Sequence, residues 1–146
     1  MNQFFINFTL IILCFCSIMS GCDVNDVCCN EDKYIYKIFT KKQWEKIQEN
    51  RSKFNSDYGT EKDKEDGFLH FSTTNQIEVV ANKFFKDLKN GYLVEVDCST
   101  IKEKLRWEKN SKGQLFPHIY GEISKESIKN VYKDFSTESF DFNVLK

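Results

Sequence analysis

The sequence lacks the features by which many enzymes and nucleic-acid-binding proteins are identified. It contains no P-loop, no G-x-S-x-G nucleophile motif, no H-E-x-x-H zinc motif and no G-x-G-x-x-G dinucleotide motif. Its 21 Lys and Arg residues nearly balance its 22 Asp and Glu residues, so no global positive field attracts a polyanion. We therefore expect no nucleic-acid partner and look for chemistry in local groups of residues.

Proline and histidine are also scarce, with one proline and two histidines in 146 residues. Hydrophobic residues make up 40% of the chain, 14 of its residues are Phe, and 29% are charged. This composition is typical of a folded protein and excludes disorder of the whole chain. The length suffices for one domain with its own core, and we expect a monomer.

The N-terminal segment, residues 1–21, is an apolar run that ends in small residues and predicts a signal peptide, although no Lys or Arg precedes the run. Polar interruptions keep it short of the roughly 20 apolar residues of a stable transmembrane helix. The pair Ser20 and Gly21 before Cys22 resembles a bacterial lipobox, and simple cleavage with release is the alternative. We expect a protein that is secreted or lipid-anchored to a membrane surface, with no other membrane contact.

Four cysteines remain after residues 1–21, and in an exported protein they allow up to two disulfides. Cys22, Cys28 and Cys29 lie in an acidic stretch, residues 22–33, that we interpret as a linker. Adjacent cysteines rarely pair, since their Cα atoms are only about 3.8 Å apart. We expect a bond from Cys28 or Cys29 to Cys98; the alternative is linker thiols with no fixed partner.

Apolar periodicity predicts an α+β domain over residues 34–136, followed by a C-terminal tail, residues 137–146. The strongest helix signal follows Thr73, where apolar residues recur at three- and four-residue spacing until Leu88, and we expect Gly91 to end it. The predicted strands are residues 34–39, 68–72, 92–97, 115–121 and 131–135, and the shorter predicted helices are 41–49, 100–105 and 125–130.

Two segments carry further expectations. Residues 50–66 are polar, with Phe54 and Tyr58 as their apolar anchors, and we interpret them as a long exposed loop that is either a functional lid or merely mobile. The single proline, Pro117, cannot donate a ladder hydrogen bond, which favours an edge strand or the first position of a strand.

The two histidines are the residues best suited to carry chemistry. Alternation in the strand at 68–72 places His70 and Ser72 on one face, and His118 precedes Tyr120 by two positions. Imidazole titrates near neutral pH and can act as acid, base or hydrogen-bond donor to a substrate oxygen. The alternative, which residue chemistry alone favours, is a pair of structural histidines.

Several blocks of the sequence together resemble one family. The blocks are Tyr34 to Ile38, Trp44, D-G-F-L-H-F-S-T from Asp66 to Thr73, Gln76, L-R-W-E from Leu105 to Glu108, and F-P-H-I-Y-G from Phe116 to Gly121. In this order they resemble the domain of unknown function 952 family, over roughly residues 34–135. The resemblance implies a fold similar to the ADP-ribosyltransferases: a small domain with a split antiparallel sheet, flanking helices and a cleft for NAD.

By that resemblance, the site would bind NAD or a related small nucleotide. His70 would bond a ribose or phosphate oxygen, and Glu108, with Glu122 as second choice, would steady positive charge on the ribose. His118 completes the catalytic set. The implied substrate-binding residues are Lys37, Ser72, Thr73, Trp107 and Tyr120, the two aromatic residues stacking on a nicotinamide or base.

Two other functions stay open. The H-x-S unit at His70 resembles that of two-histidine phosphoesterases, with His118 as the partner, although Tyr120 replaces the second small hydroxyl. A noncatalytic exported binding module would use the same residues only to shape a pocket. A metal site built from the two histidines and one acid lacks ligand spacing, and we expect none.

Overall fold

The computed structural model describes residues 32–50 and 52–146. The predicted signal peptide, the lipobox cysteine and the linker cysteines lie outside these residues. Cys98 is buried, and its proposed disulfide partners are not among the described residues, so this pairing stays a prediction. No helix in the described part is long and apolar enough to cross a membrane.

The first sheet is built from three antiparallel strands in the order β1-β4-β8. They are β1 (Tyr34–Phe39), β4 (Gly91–Asp97) and β8 (Ile128–Phe135). The central strand β4 is buried at five of its seven positions. Alternation and β-branched content predicted β1 and β4 at almost these bounds, and both are confirmed.

A second three-stranded antiparallel sheet carries both histidines. Its order is β3-β6-β5, with β3 (Phe68–His70), β5 (Leu105–Lys109) and β6 (Leu115–Tyr120). A two-stranded pair, β2 (Lys53–Phe54) and β7 (Ile123–Ser124), lies apart from both sheets. The predicted small α+β domain with antiparallel sheets and few helices is confirmed.

The core consists of two apolar clusters, one on each face of the first sheet. Because side chains alternate along β1, Ile35 and Phe39 enter one cluster while Tyr36 and Ile38 enter the other. The larger cluster also takes Leu69 and the other inward side chains of the second sheet. The opposite face of the second sheet is therefore left free for polar chemistry.

Helix α1 (Lys41–Glu49) has the predicted bounds and buries Trp44 and Ile47, as expected from their spacing. Helix α3 (Thr74–Phe84) is shorter than predicted. Phe84, expected on its apolar face, is 66% exposed, whereas Phe85 and Leu88, beyond the end of the helix, pack against the second core cluster. Gly91 thus begins β4 instead of ending the helix.

The prediction of a loop over residues 50–66 is wrong. Besides β2, this segment contains a 3-10 turn at Ser56–Tyr58 and a helix, α2 (Glu61–Asp66). Thr60 caps α2 and exchanges hydrogen bonds with Asp63 in a capping box. The buried residue of this helix is Asp63, so its sequence has no apolar periodicity. A search for hydrophobic patterns therefore cannot detect it.

Two further predictions are corrected. The helix expected at residues 125–130 is a 3-10 turn at Lys125–Ser127 followed directly by β8. Pro117 lies in the central strand β6, not at an edge. Pro117 has no N–H to donate toward β3. Because β3 ends at His70, only one hydrogen bond at the end of the β3–β6 ladder is lost, and the proline is tolerated there.

The segment predicted as a tail, residues 137–146, packs against the domain. Phe140, Phe142 and Leu145 contact the second core cluster, and the hydroxyl of Thr137 donates to the carbonyl of Phe85 at 2.6 Å. These contacts bury Thr137 to 7% exposure and make the segment part of the fold.

Candidate functional site

The two histidines lie directly opposite each other on adjacent antiparallel strands. His70 of β3 is the register partner of His118 of β6. The amide of Phe71 donates to the carbonyl of Pro117, so the next pair is the hydrogen-bonded one and the histidines form a non-hydrogen-bonded pair. Side chains are closest in such pairs, and the two imidazole rings meet edge to face with centroids 4.8 Å apart.

His118 is backed by a carboxylate from the neighbouring strand. Its Nδ1 lies 2.6 Å from Oε2 of Glu108, and the hydroxyl of Tyr120 donates to the same oxygen at 3.0 Å. The hydrogen bond from His118, followed by that from Tyr120, holds the pKa of Glu108 below its ordinary value. Burial, reinforced by the bond to Glu108, raises the pKa of Tyr120.

Burial also lowers the pKa of His118, and the hydrogen bond to Glu108 offsets this only in part. At neutral pH the pair is therefore an ionised Glu108 accepting from Nδ1–H of a neutral imidazole. No hydrogen bond to Nε2 of His118 forms within the part of the chain that the structure describes. This nitrogen can accept a proton or a hydrogen bond from a ligand.

His70 is held from behind by a buried ion pair. Its backbone amide and its Nδ1 both lie 2.8 Å from Oδ1 of Asp63, a fully buried carboxylate. Lys37 Nζ contacts both oxygens of Asp63, at 3.0 and 2.8 Å, and donates to the carbonyl of His70 at 2.9 Å. Burial acts to raise the pKa of Asp63, but the bonds from His70 and the charge of Lys37 outweigh it and hold this pKa well below its ordinary value.

The other ring nitrogen of His70 faces a second carboxylate. Nε2 lies 3.1 Å from Oδ2 of Asp66, whose Oδ1 accepts from Lys62 at 2.7 Å. The hydrogen bond from Lys62 is the main reason that the pKa of Asp66 is lowered. His70 thus lies between two ionised carboxylates, one buried and one at the surface.

Phe68 forms an aromatic platform beside the histidines. Its ring centroid lies 4.8 Å from that of His70, 4.5 Å from that of His118 and 4.7 Å from that of Tyr120. The ring of His118 is stacked on it at 26°. A planar ligand ring could extend this stack, because Tyr120 remains 39% exposed.

The structure brings together four of the predicted site residues, namely His70, Glu108, His118 and Tyr120. Lys37, predicted to contact substrate, is instead buried behind His70 as the partner of Asp63. Glu122, the second choice for the carboxylate, lies 3.5 Å from Lys53 and does not contact the histidines.

Three other predicted substrate contacts have roles in the fold. Ser72 is buried, and its backbone exchanges two hydrogen bonds with Tyr36 to link the two sheets. Thr73 is the N-cap residue of α3, and its amide donates to Gln76. Trp107 packs against the core, one position away from Glu108 and thus on the opposite face of β5.

Asp63 and Asp66 were missed from the sequence. Each had a signal: Asp63 stands at the capping-box position after Thr60, and Asp66 opens the block that contains His70.

No group of three or more His, Cys, Asp and Glu side chains in residues 32–50 and 52–146 is arranged to hold a metal ion. An open cavity with a volume of ≈ 890 Å³ lies between α1 and β8, and neither histidine lines it.

The lowered pKa of His118 predicts a pH dependence of stability. The ordinary value is 6.5, and a lower value in the folded state means that the unfolded chain binds more protons. The contribution of His118 is therefore complete above about pH 6.5 and is lost as the pH falls toward the folded-state pKa. An NMR titration of the ring Cε1–H resonance should give a pKa below 6.5.

Thermal unfolding between pH 5 and pH 8 provides the control for this titration. His118→Gln should flatten the part of the melting-temperature profile that the histidine causes. A His118 resonance that titrates above pH 6.5 would contradict the neutral imidazole proposed for the site.

Comparisons with other proteins place this geometry in a family context. The family model described as "Protein of unknown function (DUF952)" matches residues 38–131. The crystal structure of protein CC0527 from Caulobacter crescentus is 29% identical, with a TM-score of 0.62 over 68% of this chain and 84% of that one. The solution NMR structure of CC0527 is also 29% identical, with a TM-score of 0.60 over 71% and 85%. No curated protein matches the chain.

Proposed function

The chain belongs to the DUF952 family of proteins of unknown function, and from this premise we propose that its histidine site binds NAD or a related nucleotide and performs ADP-ribosyl-type chemistry. The proposal includes an ADP-ribosyltransferase-like arrangement of the split antiparallel sheets. It rests above all on one observation: a half-exposed, ionised Glu108 is fixed by His118 and Tyr120 next to an aromatic platform.

Glu108 is suited to stabilise a positively charged ribose. In ribosyl transfer the bond from the anomeric carbon to nicotinamide breaks, nicotinamide leaves with the electron pair, and positive charge develops on the ribose. A carboxylate whose orientation is already fixed stabilises that charge without reorganisation during the reaction. His118 bonds to Oε2 of Glu108 and the Tyr120 hydroxyl lies within hydrogen-bond distance of both carboxylate oxygens, while the side chain stays 42% exposed for such a contact.

His118 is suited to take the proton of the acceptor. Its Nδ1–H is committed to Glu108, which leaves the Nε2 lone pair to accept a proton from a hydroxyl or water that attacks the ribose. Phe68 and Tyr120 offer the planar surface on which a nicotinamide or adenine ring can stack.

The two-histidine phosphoesterase is the weaker alternative. Such an enzyme uses a small hydroxyl two positions after each histidine, and Tyr120 takes that position after His118. Ser72, the hydroxyl of its H-x-S unit, is buried at a backbone link between the sheets. A noncatalytic binding module differs from our proposal only in turnover, and the kinetic test in the Discussion distinguishes the two.

The binding test is a calorimetric titration of the full chain with NAD, with ADP-ribose and nicotinamide titrated separately. We expect saturable binding of NAD that weakens at least tenfold in His118→Gln, because this variant loses the stacked ring and the Nε2 acceptor. Loss of one buried hydrogen bond together with a stacking contact corresponds to about this factor.

Glu122→Gln is the matched surface control, and its affinity for NAD should equal that of the unmodified chain, since Glu122 contacts Lys53 and not the histidines. Absence of binding of NAD and of ADP-ribose at millimolar concentration would refute the nucleotide proposal.

A further inference from the structure

The contact between Asp66 and Nε2 of His70 points to an anion-binding position within the site. We propose that Asp66 occupies the place of a ligand oxyanion and that a phosphate group of the nucleotide displaces it and binds His70 and Lys62. This inference rests on the proposed function for the identity of the ligand, but the anion position itself can be tested with inorganic ions.

The His70 ring has one nitrogen turned toward this position. Nδ1 of His70 is committed to Asp63, whose charge is already matched by Lys37 at 2.8 Å. Nε2 is the second ring nitrogen of His70, and it lies 3.1 Å from Oδ2 of Asp66. An oxygen of a carboxylate or a phosphate at this position is therefore within hydrogen-bond distance of the ring.

A second donor reaches the same position. Lys62 Nζ donates to Oδ1 of Asp66 at 2.7 Å, while Oδ2 faces His70 at 3.1 Å. The two oxygens of one carboxylate thus contact two different groups, the Lys62 ammonium and the His70 ring. A phosphate group, which carries several oxygens of equivalent chemistry, can present the same pair of acceptors to His70 and Lys62.

Of the two carboxylates beside His70, Asp66 is the one that a ligand can displace. It is 23% exposed and is bound to Lys62, which is 67% exposed, so their pair contributes little to stability. Asp66 is also the last residue of α2, where helix carbonyl groups disfavour a negative charge. Asp63, by contrast, is fully buried and held by Lys37, Thr60 and the amide of His70.

The balance of charge around His70 supports an anion once Asp66 has moved away. The ion pair of Lys37 and Asp63 is neutral as a unit. Glu108 bonds to His118 and Tyr120 and has no bond to His70. Nε2 of the His70 ring and the Lys62 ammonium group then face the vacated position.

The test measures binding of inorganic pyrophosphate to the full chain by NMR, through the ring ¹⁵N resonances of His70. In Asp66→Asn we expect pyrophosphate to bind about tenfold more tightly than in the unmodified chain, because a competing charge a few ångströms from the ligand is removed. The Nε2 resonance of His70 should move more than its Nδ1 resonance.

Glu65→Gln is the matched control. It removes the same charge one position earlier on the same helix, from an exposed side chain that does not contact His70. Its affinity for pyrophosphate should change less than twofold. Equal gains in Asp66→Asn and Glu65→Gln would indicate a general charge effect and overturn the proposal, as would an unchanged affinity in Asp66→Asn.

The outcome is independent of the test for NAD. Failure of NAD to bind, together with a pyrophosphate gain specific to Asp66→Asn, would refute the nucleotide function and leave the anion position in place. Binding of NAD whose affinity does not depend on Asp66 would overturn the anion position and leave the proposed function standing.

Discussion

Asp63→Asn is expected to lower the free energy of unfolding by about 3–5 kcal/mol, the cost typical of breaking a buried ion pair by removing one partner. The substitution keeps the shape of the side chain and leaves the charge of Lys37, 5% exposed, without its counterion. Chemical denaturation at pH 7 measures the change. Because the pKa of Asp63 is lowered in the folded state, its contribution is complete above about pH 4 and is lost at lower pH.

Two further variants identify the cause. Glu61→Gln removes a carboxylate from the same helix, but its side chain is 83% exposed, and we expect a change within about 0.5 kcal/mol. The double variant Lys37→Met with Asp63→Asn leaves no uncompensated buried charge and keeps an acceptor oxygen at position 63, so it should recover much of the loss. A loss below about 1 kcal/mol in Asp63→Asn would contradict a buried ion pair as the support of His70.

Glu108→Gln is expected to reduce the rate of nicotinamide release from NAD by about 10²- to 10⁴-fold. The amide keeps the size of the side chain but cannot stabilise positive charge on the ribose. Since that charge develops in the transition state, the affinity for NAD should change by less than about threefold. Initial rates of nicotinamide release, measured by chromatography, give the comparison.

Glu122→Gln again serves as the control and should retain the full rate. Should the unmodified chain bind NAD but release no nicotinamide, the protein would be a binding module. Equal rates in Glu108→Gln and the unmodified chain would exclude Glu108 as the carboxylate that acts on the ribose.

The sequence predicted the part of the site that follows from strand alternation. The period of two fixed which face of β3 carries His70, and the blocks around His70 and His118 identified the family. The pairing of these residues could not be derived, because register depends on which strands become neighbours. Here β3 pairs with a strand about 50 positions further along the chain.

The carboxylate behind His70 was hidden by its own segment. All six of residues 61–66 are charged, and such a stretch on a folded protein normally faces water. Asp63 is buried nevertheless because Lys37 and His70 together satisfy its charge. The same ion pair explains why Lys37, expected to contact substrate, lies beneath the site.

For Trp107, the sequence alone leaves two roles open. A large aromatic residue next to a candidate catalytic glutamate fits either a stack on a ligand or a place in the core. Only the faces of β5 distinguish the two, and they pack Trp107 against the core and place Glu108 beside the histidines.

The double role of Asp63 couples the integrity of a helix to the chemistry of a histidine. One of its oxygens closes the cap of α2 through Thr60, while the other orients the ring of His70. Fraying of α2 therefore releases the His70 ring in the same event, so the helix and the ring form one cooperative unit. Amide hydrogen exchange in α2 therefore also reports on how long the His70 ring stays in the orientation that Asp63 sets.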